Sequence, residues 1–291
     1  MVHFSNVRHY HNLFYIAEQY IDSSTGLDDR GKFYPGSFMQ IQSVARALKI
    51  LSLFSYEHPR LGITEISKSM ELPKPTVHGL IQTLVDFEFL SRDDETRKYG
   101  LGRKIYELGA LFTANLKINQ VGTEAARQLA AKTGLTVGLA IWDQNLVISI
   151  FRCVSSFQNP APRQFAPRVP AYCSSIGKAI LAWFSEGKIN DYLKSTQLIP
   201  YTPKTIIDKG ALIRELKKTR ERGYAEDREE FLIGVSCMGA PIFDHTGLPV
   251  GSISISGNEA ELYGNNMSRL VSDLKRIATE ISYKMGFVPR P

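Results

Sequence analysis

The sequence predicts an α+β chain, and three observations carry that prediction. Apolar residues recur at helical spacing in three short segments between Gln42 and Leu84. Directly after them, "FEFLSRDDETRKYGLG" reads as strand, polar turn, strand. Beyond residue 135, strands joined by short turns come in pairs with helices set between the pairs, which indicates a mainly antiparallel sheet and not a parallel doubly wound one.

The 291 residues suffice for two domains with their own cores, and 43% apolar with 22% charged residues argue against a disordered or fibrous chain. A net charge of +6 permits a polyanionic partner without demanding one, because residues 41–105 hold ten Lys/Arg against eight Asp/Glu. Cys153, Cys173 and Cys237 are odd in number and far apart, so neither a disulfide framework nor a CxxC zinc site is expected, and a cytoplasmic setting fits. No apolar run approaches the ~20 residues that span a bilayer, and no secretory signal is read at the N-terminus.

Residues 1–40 are expected to form an extension, with one short helix over Leu13–Ile21. His3, His9 and His11 lie close together but lack a second type of ligand, so a tail is the reading and neither metal nor cofactor is expected. In "SVARALKILSLF" the stripe Val44, Leu48, Leu51 and Phe54 predicts a first helix facing inward, with Arg46, Lys49 and Ser52 between. Pro59 and Gly62 then break the chain, and Thr64 stands where it would cap a second helix carrying Ile66 and Met70. The third helix, "LPKPTVHGLIQTL", places Val77, Leu80, Ile81 and Leu84 on one stripe. Three helices and a hairpin in this order over residues 41–102 are the order of a winged helix-turn-helix, or of a small structural α+β module.

The outward arc of the third helix holds Pro75, Thr76, His78, Gly79, Gln82 and Thr83, with Lys74 at its start. These groups suit phosphate oxygens and base edges, although a solvated helix face has the same composition. Pro75 in the first turn fixes φ where a backbone N–H would be unpaired anyway. Arg46 and Thr64, with Arg92, Arg97 and Lys98 at the hairpin, would flank this helix on one side and reach a sugar-phosphate backbone.

"RKIYELGALFTANL" predicts a linker helix over 103–119, with Ile105, Leu108, Leu111 and Phe112 on one side, running on into "VGTEAARQLAAKTG" with Gly134 as its stop. In the remaining domain, 120–291, "LTVGLAIWD" and "NLVISIFRC" pair across Gln144-Asn145, and "GVSCMGAPIFD" pairs with "PVGSISISG" across "HTG". "GKAILAWF", "DKGALIRELKKTRERG" and a closing segment from Tyr263 to Lys284 read as helices.

The elements "QSVARALKILSLF", "GITEISKSMELPKPTVHGLIQTL", "KYGLGRKIYELG", "YCSSIGKAILA", "TRERGYAEDREEFLIGVSCMGAPIFD" and "GSISISG" stand in the order found in the IclR family of bacterial transcription regulators, which the chain resembles over about 41–286. The resemblance implies a winged-helix DNA-binding domain, a linker helix, a GAF-like domain that binds a small carboxylic acid effector, and a homodimer or dimer of dimers. "PAYCSSIGKAILA" looks most like the branch that answers aromatic acids such as protocatechuate or 4-hydroxybenzoate. Carried over position by position, it points to Ser175 and Ile176 at a helix start, Asp227 ahead of a strand, Cys237 in it, and Ser254 and Ser256 on the last strand. The chain departs from the family at Gly79, where an arginine is common, and at Ile176, where an alanine is.

A helix start near Ser175 would present N–H groups to a carboxylate, and Ser254 and Ser256 share one strand face. Arg152, Arg163 and Arg168 flank the loop "NPAPRQFAPR", which would fold over such a pocket, though solvation is the expected role for at least two of them. "SSIGKA" is no phosphate loop, since Lys178 is followed by Ala179 and one glycine is missing; Ser174 and Ser175 lack a GxSxG setting. The expectation is therefore a regulator that binds double-stranded operator DNA under control of a small acid, without enzymatic activity. The alternative is a small-molecule sensor whose winged helix contacts protein.

Overall fold

The structure, a computed structural model, describes residues 40–154 and 168–289. His3, His9, His11, the expected helix at Leu13–Ile21 and Arg163 lie outside the described residues. The chain divides into two compact units, Met1–Phe112 and Thr113–Pro291.

In the first unit, helices α1 (Gln42–Leu51), α2 (Ile63–Met70) and α3 (Lys74–Asp86) precede a two-stranded hairpin of β1 (Leu90–Arg92) and β2 (Tyr99–Leu101). Ile50, Ile66, Val77, Ile81, Leu84, Leu90 and Tyr99 form the core. The third helix buries the stripe expected of it, with Leu80 at the core edge. On α1 the expectation is half wrong. Leu51 and Phe54 pack inward with Ala47 and Ile50, but Val44 and Leu48 are 52% and 59% exposed. At 100° per residue the buried stripe is 47, 50, 51, 54, and Ile41, Val44 and Leu48 form a second apolar stripe beside it.

Thr64 does not cap α2. The N-cap is Gly62, and the Glu65 carboxylate reaches back to accept from the Gly62 N–H at 2.6 Å. The turn into α3 passes through Glu71 in the left-handed region (φ 52°), and Ser67 Oγ closes it by donating to the Leu72 carbonyl at 2.6 Å. Pro73 is the N-cap of α3, so Lys74 and Pro75 occupy its first turn, where proline costs no hydrogen bond.

Helix α4 spans Arg103–Asn115 and buries none of its residues. It does not run on as expected. Leu116 is extended (φ −73°, ψ 116°) and starts a separate α5 (Lys117–Thr133). Side chains hold the break, because Asn119 Nδ2 donates to the Thr113 carbonyl and Gln120 Nε2 to that of Ala114, satisfying acceptors at the end of α4.

The second unit is built on an antiparallel six-stranded sheet of order β5-β4-β3-β8-β7-β6, from β3 (Thr136–Asp143), β4 (Leu146–Cys153), β5 (Arg168–Pro170), β6 (Ala225–Leu232), β7 (Val235–Phe243) and β8 (Pro249–Gly257). The β3–β4 turn has Gln144 and Asn145 both at positive φ (45° and 69°), the geometry that suits a tight hairpin. One face packs Val137, Leu139, Met238, Ile253 and Ile255 against α5 and against α10 (Met267–Lys284). The closing helix, expected from about Tyr263, begins at Met267, and a separate short α9 (Glu259–Tyr263) that the sequence reading did not include precedes it. Helix α6 (Ser175–Leu181) lies on the opposite face, followed by α7 (Glu186–Ser195) and α8 (Lys209–Arg222), the last capped by Asp208 and stopped by Gly223 at φ +80°.

Candidate nucleic-acid interface and effector cleft

Between α2, α3 and the hairpin lies one open groove, and six of the expected contacts line it: Thr64, His78, Gln82, Arg92, Arg97 and Lys98. Backbone geometry fixes the hairpin side. Leu61 bridges to Tyr99 through a pair of backbone hydrogen bonds at 2.9 Å, and Asp93 Oδ1 accepts from the Thr96 N–H and hydroxyl at 2.8 and 2.9 Å. Arg60 pairs with Asp93, which leaves Arg92 and Arg97 exposed on either side of the tip.

Glu65 is the groove residue that sequence reasoning missed. The Gly62 N–H and then Lys98, 3.3 Å away, hold its carboxyl below the usual range, so Lys98 already faces a carboxylate. Gln82 donates to Asp86 Oδ1 at 2.8 Å, and Thr83 donates to the Gly79 carbonyl at 3.0 Å. Lys74, Pro75, Thr76 and Thr83 are exposed on α3 outside the groove lining, and Arg46 lines a separate depression with Lys49 and Met70.

Nothing in the fold requires glycine at Gly79. A Cβ there meets no atom within 4 Å, and φ is not positive. Gly79→Ala is therefore expected to raise stability by about 0.5–1 kcal/mol from helix propensity. Chemical denaturation of the two proteins checks this; a loss of stability would show that the site is more crowded than its surroundings indicate.

In the second unit, strand register brings the other candidates to one face of the sheet. Asp227 stands opposite Cys237, Cys237 opposite Ser256, and Ser256 opposite Thr136. The next row along is Ala225, Gly239, Ser254, Gly138 and Arg152. Directly paired residues share a face, and so do residues two apart on a strand, so both rows line one floor. Asp227 lies within β6 and not ahead of a strand. Its charged sequence "AEDREEFL" hid the strand, whose inward positions Ala225 and Asp227 are both buried.

Helix α6 closes over this floor. Gly239 permits the approach, since a Cβ there would come within 2.6 Å of the Ser175 carbonyl oxygen. Ser252 Oγ donates to the Ile176 carbonyl at 2.9 Å. The Cys237 thiol donates to Ser256 Oγ at 3.1 Å and also bonds the Ser175 side chain. Burial, with Asp227 adding to it, pushes this thiol up to about 12, so it acts as a small neutral donor and not as a nucleophile. The α6 N-terminus, expected to offer its N–H groups to a carboxylate, has part of that capacity taken up within the chain. The helix has seven residues, Ser174 Oγ already takes the Gly177 N–H, and the backbone at Gly239 crowds its first turn.

Lys178, which the sequence offered only for a rejected phosphate loop, is fully buried and pairs with Glu230 at 2.5 Å. Asp227 Oδ1 accepts from the Glu230 N–H at 2.7 Å, which ties the pair to the floor. A lysine inside the otherwise apolar "GKAILA" was the available signal. Arg168 is half-exposed and pairs with Asp143 at 2.8 Å, as a solvated arginine would. Among the described residues no group of His, Cys, Asp and Glu is arranged to hold a metal, and no helix is long and apolar enough to cross a membrane.

A helix-turn-helix with cations beside its third helix, joined to a unit whose sheet gathers polar side chains under a short helix, fits the class of ligand-responsive transcriptional regulators. The chain belongs to the IclR family. The family model described as the IclR helix-turn-helix domain matches residues 43–94, and the one described as bacterial transcriptional regulator IclR C-terminal matches residues 111–283. The HTH-type transcriptional regulator XynR of Escherichia coli K12 is 32% identical over 247 residues, covering 85% of this chain and 98% of that protein. The crystal structure of Thermotoga maritima IclR superposes with a TM-score of 0.71 at 31% identity, covering 85% of this chain and all of that one. An IclR homologue from Microbacterium hydrocarbonoxydans, crystallised with 4-hydroxybenzoate, has the same fold at 22% identity (TM-score 0.73, 84% and 99% coverage).

Proposed function

We propose that this regulator reads double-stranded operator DNA through residues 41–102 and is controlled by a small carboxylic acid bound on the sheet floor of residues 120–291. The observation that carries the DNA half is the groove that gathers His78 and Gln82 of α3 with Arg92 and Arg97 of the hairpin. In this reading α3 enters a major groove, with Lys74, Pro75, Thr76 and Thr83 at its surface, while the hairpin and Arg46 approach the backbone. The effector half rests on Asp227, Cys237, Ser254 and Ser256 sharing one sheet face, with Ser175 and Ile176 of α6 packed over it. We take the effector to be an aromatic acid, supported by the likeness of "PAYCSSIGKAILA" to that branch and by the 4-hydroxybenzoate found in one structural neighbour.

A homodimer or dimer of dimers fits the apolar groups that this chain leaves uncovered: Ile41, Val44 and Leu48 on α1, and Leu108, Leu111 and Phe112 on α4. Sedimentation as a monomer at micromolar concentration would contradict it.

Fluorescence anisotropy with operator fragments across a salt series tests the DNA reading. Arg97→Ala is expected to weaken binding about equally for all sequences and to lower the log–log salt slope by about one. Wild-type binding that does not weaken as salt rises would instead favour the protein-contact alternative.

A further inference from the structure

Among the described residues Glu65 is the one carboxylate that lines the groove of the first unit, and it stands there with Arg92, Arg97 and Lys98, the groups that would draw phosphate in. An exposed carboxylate in the middle of a helix is free to swing away from such a place. Glu65 is not, because its Oε2 accepts from the Gly62 N–H at 2.6 Å and so caps the start of α2. The same oxygen lies 3.3 Å from Lys98 Nζ.

Lys98 is fixed from its own side. Its carbonyl accepts from the Asp93 N–H at 2.8 Å across the hairpin, and Tyr99 beside it exchanges its two backbone hydrogen bonds with Leu61. Arg60 pairs with Asp93, so residues 60–65 and the hairpin are tied on both sides of the Leu61–Tyr99 bridge. The Glu65–Lys98 pair therefore forms between two backbones that are already set. An exposed pair of this kind adds little to stability, and its weight lies in what it does to a third charge. A phosphate within a Debye length of about 8 Å of Lys98 meets the carboxylate as well, and the two together present almost no net charge.

We infer that Glu65 is a specificity-determining residue of the DNA interface: by neutralising Lys98 it lowers the groove's attraction for phosphate of any sequence and leaves discrimination to the side chains of α3. The inference rests on the proposed reading of DNA through residues 41–102. Phosphate contacts are the same on every duplex, whereas base contacts are not. A groove with one effective cation fewer binds all DNA more weakly, and the share of affinity that depends on sequence rises.

The test is fluorescence anisotropy of the full chain across a salt series, on a mixed-sequence duplex and on a duplex enriched from a random pool by the wild type. Glu65→Gln removes the charge and keeps the cap, since glutamine reaches back to the same N–H. It should bind the mixed duplex about threefold to tenfold more tightly, steepen the log–log salt slope by about one and shrink the preference for the enriched duplex, with the melting temperature of the free protein close to wild type. Adding Lys98→Gln to Glu65→Gln should restore the wild-type slope. Glu107→Gln makes the same charge change at the Lys104–Glu107 pair of α4, outside the groove, and should move the slope by less than half as much. Glu65→Gln that leaves either the slope or the preference as in wild type, or Glu107→Gln that matches its effect, would overturn the inference and leave the proposed function standing. So would a Glu65→Gln that melts well below wild type, because the carboxylate would then be serving the fold. Wild-type binding that does not weaken with salt, or a pool from which no sequence is enriched, would overturn both.

Discussion

Replacing Lys178 with methionine is expected to destabilise the C-terminal unit by about 3–5 kcal/mol, a large part of the ~5–15 kcal/mol that holds a typical domain folded. Lys178 is 0% exposed and its Nζ lies 2.5 Å from Glu230 Oε1. Methionine matches the apolar stem but removes the one charge that compensates two buried carboxyls, Glu230 and Asp227. Among the described residues Glu230 Oε2 is already buried without a hydrogen-bond partner, so no second cation is shown to take over from the ammonium. The same reasoning predicts a rescue. Lys178→Met combined with Glu230→Met removes both charges, and the double variant should recover to within about 1–2 kcal/mol of wild type, because a buried ion pair adds little beyond what it costs to desolvate. Urea unfolding of the two single variants and the double closes the cycle. Additive losses would show that the pair is not an isolated electrostatic unit. Low pH should also relieve the single variant, since burial already raises the Glu230 carboxyl towards its neutral form.

How much of this was legible in the sequence depended on whether the determining contacts were local. The third helix was read correctly because its apolar period and its two leading prolines are properties of thirteen consecutive residues. The Gln144-Asn145 hairpin was read for the same reason. Helix α1 misled because it carries two adjacent apolar stripes, and periodicity alone does not say which one meets the core. The break at Leu116 depends on Asn119 and Gln120 turning back to α4, a choice that leaves no mark on the apolar pattern. Strand β6 was missed because its inward residue is a buried aspartate and its outward ones are charged, so the usual alternation of apolar and polar never appears. For the cleft, family resemblance supplied six residues, whereas the Lys178–Glu230 pair joins positions 52 apart and the Arg152 row is set by strand register. Neither can be read from spacing.

Asp227→Asn is expected to flatten the pH dependence of the C-terminal unit's stability between about pH 4 and 7. Burial pushes the Asp227 carboxyl up to about 7; Lys178 opposes this and Glu230 reinforces it, while the N–H groups of Glu230 and Phe231 hold it down. Cys173, Cys237 and Tyr263 are the remaining titratable groups close enough to feel it, and burial keeps all three neutral across this window. In the unfolded chain the same carboxyl titrates near ~3.9. The folded state therefore holds a proton that the unfolded chain releases. Its contribution to stability is complete below about pH 4 and is lost as pH rises through about 7, at roughly 1.4 kcal/mol per unit at most. Asparagine keeps an oxygen for the Glu230 N–H and cannot ionise, so the variant should gain on wild type as pH rises from about 4 to 7, with the gain levelling off above that. Glu230, also raised by burial, leaves a residual slope of the same sign. Melting curves of wild type and variant that stay parallel over this range would overturn the assignment. The same proton accounts for an aspartate beside a site proposed for an acid. Near neutral pH a large share of Asp227 is a neutral carboxyl, which donates to an incoming ligand instead of repelling it, and the ionised remainder accepts from a ligand hydroxyl. Effector binding to wild type should then weaken above pH 7, and binding to Asp227→Asn should not.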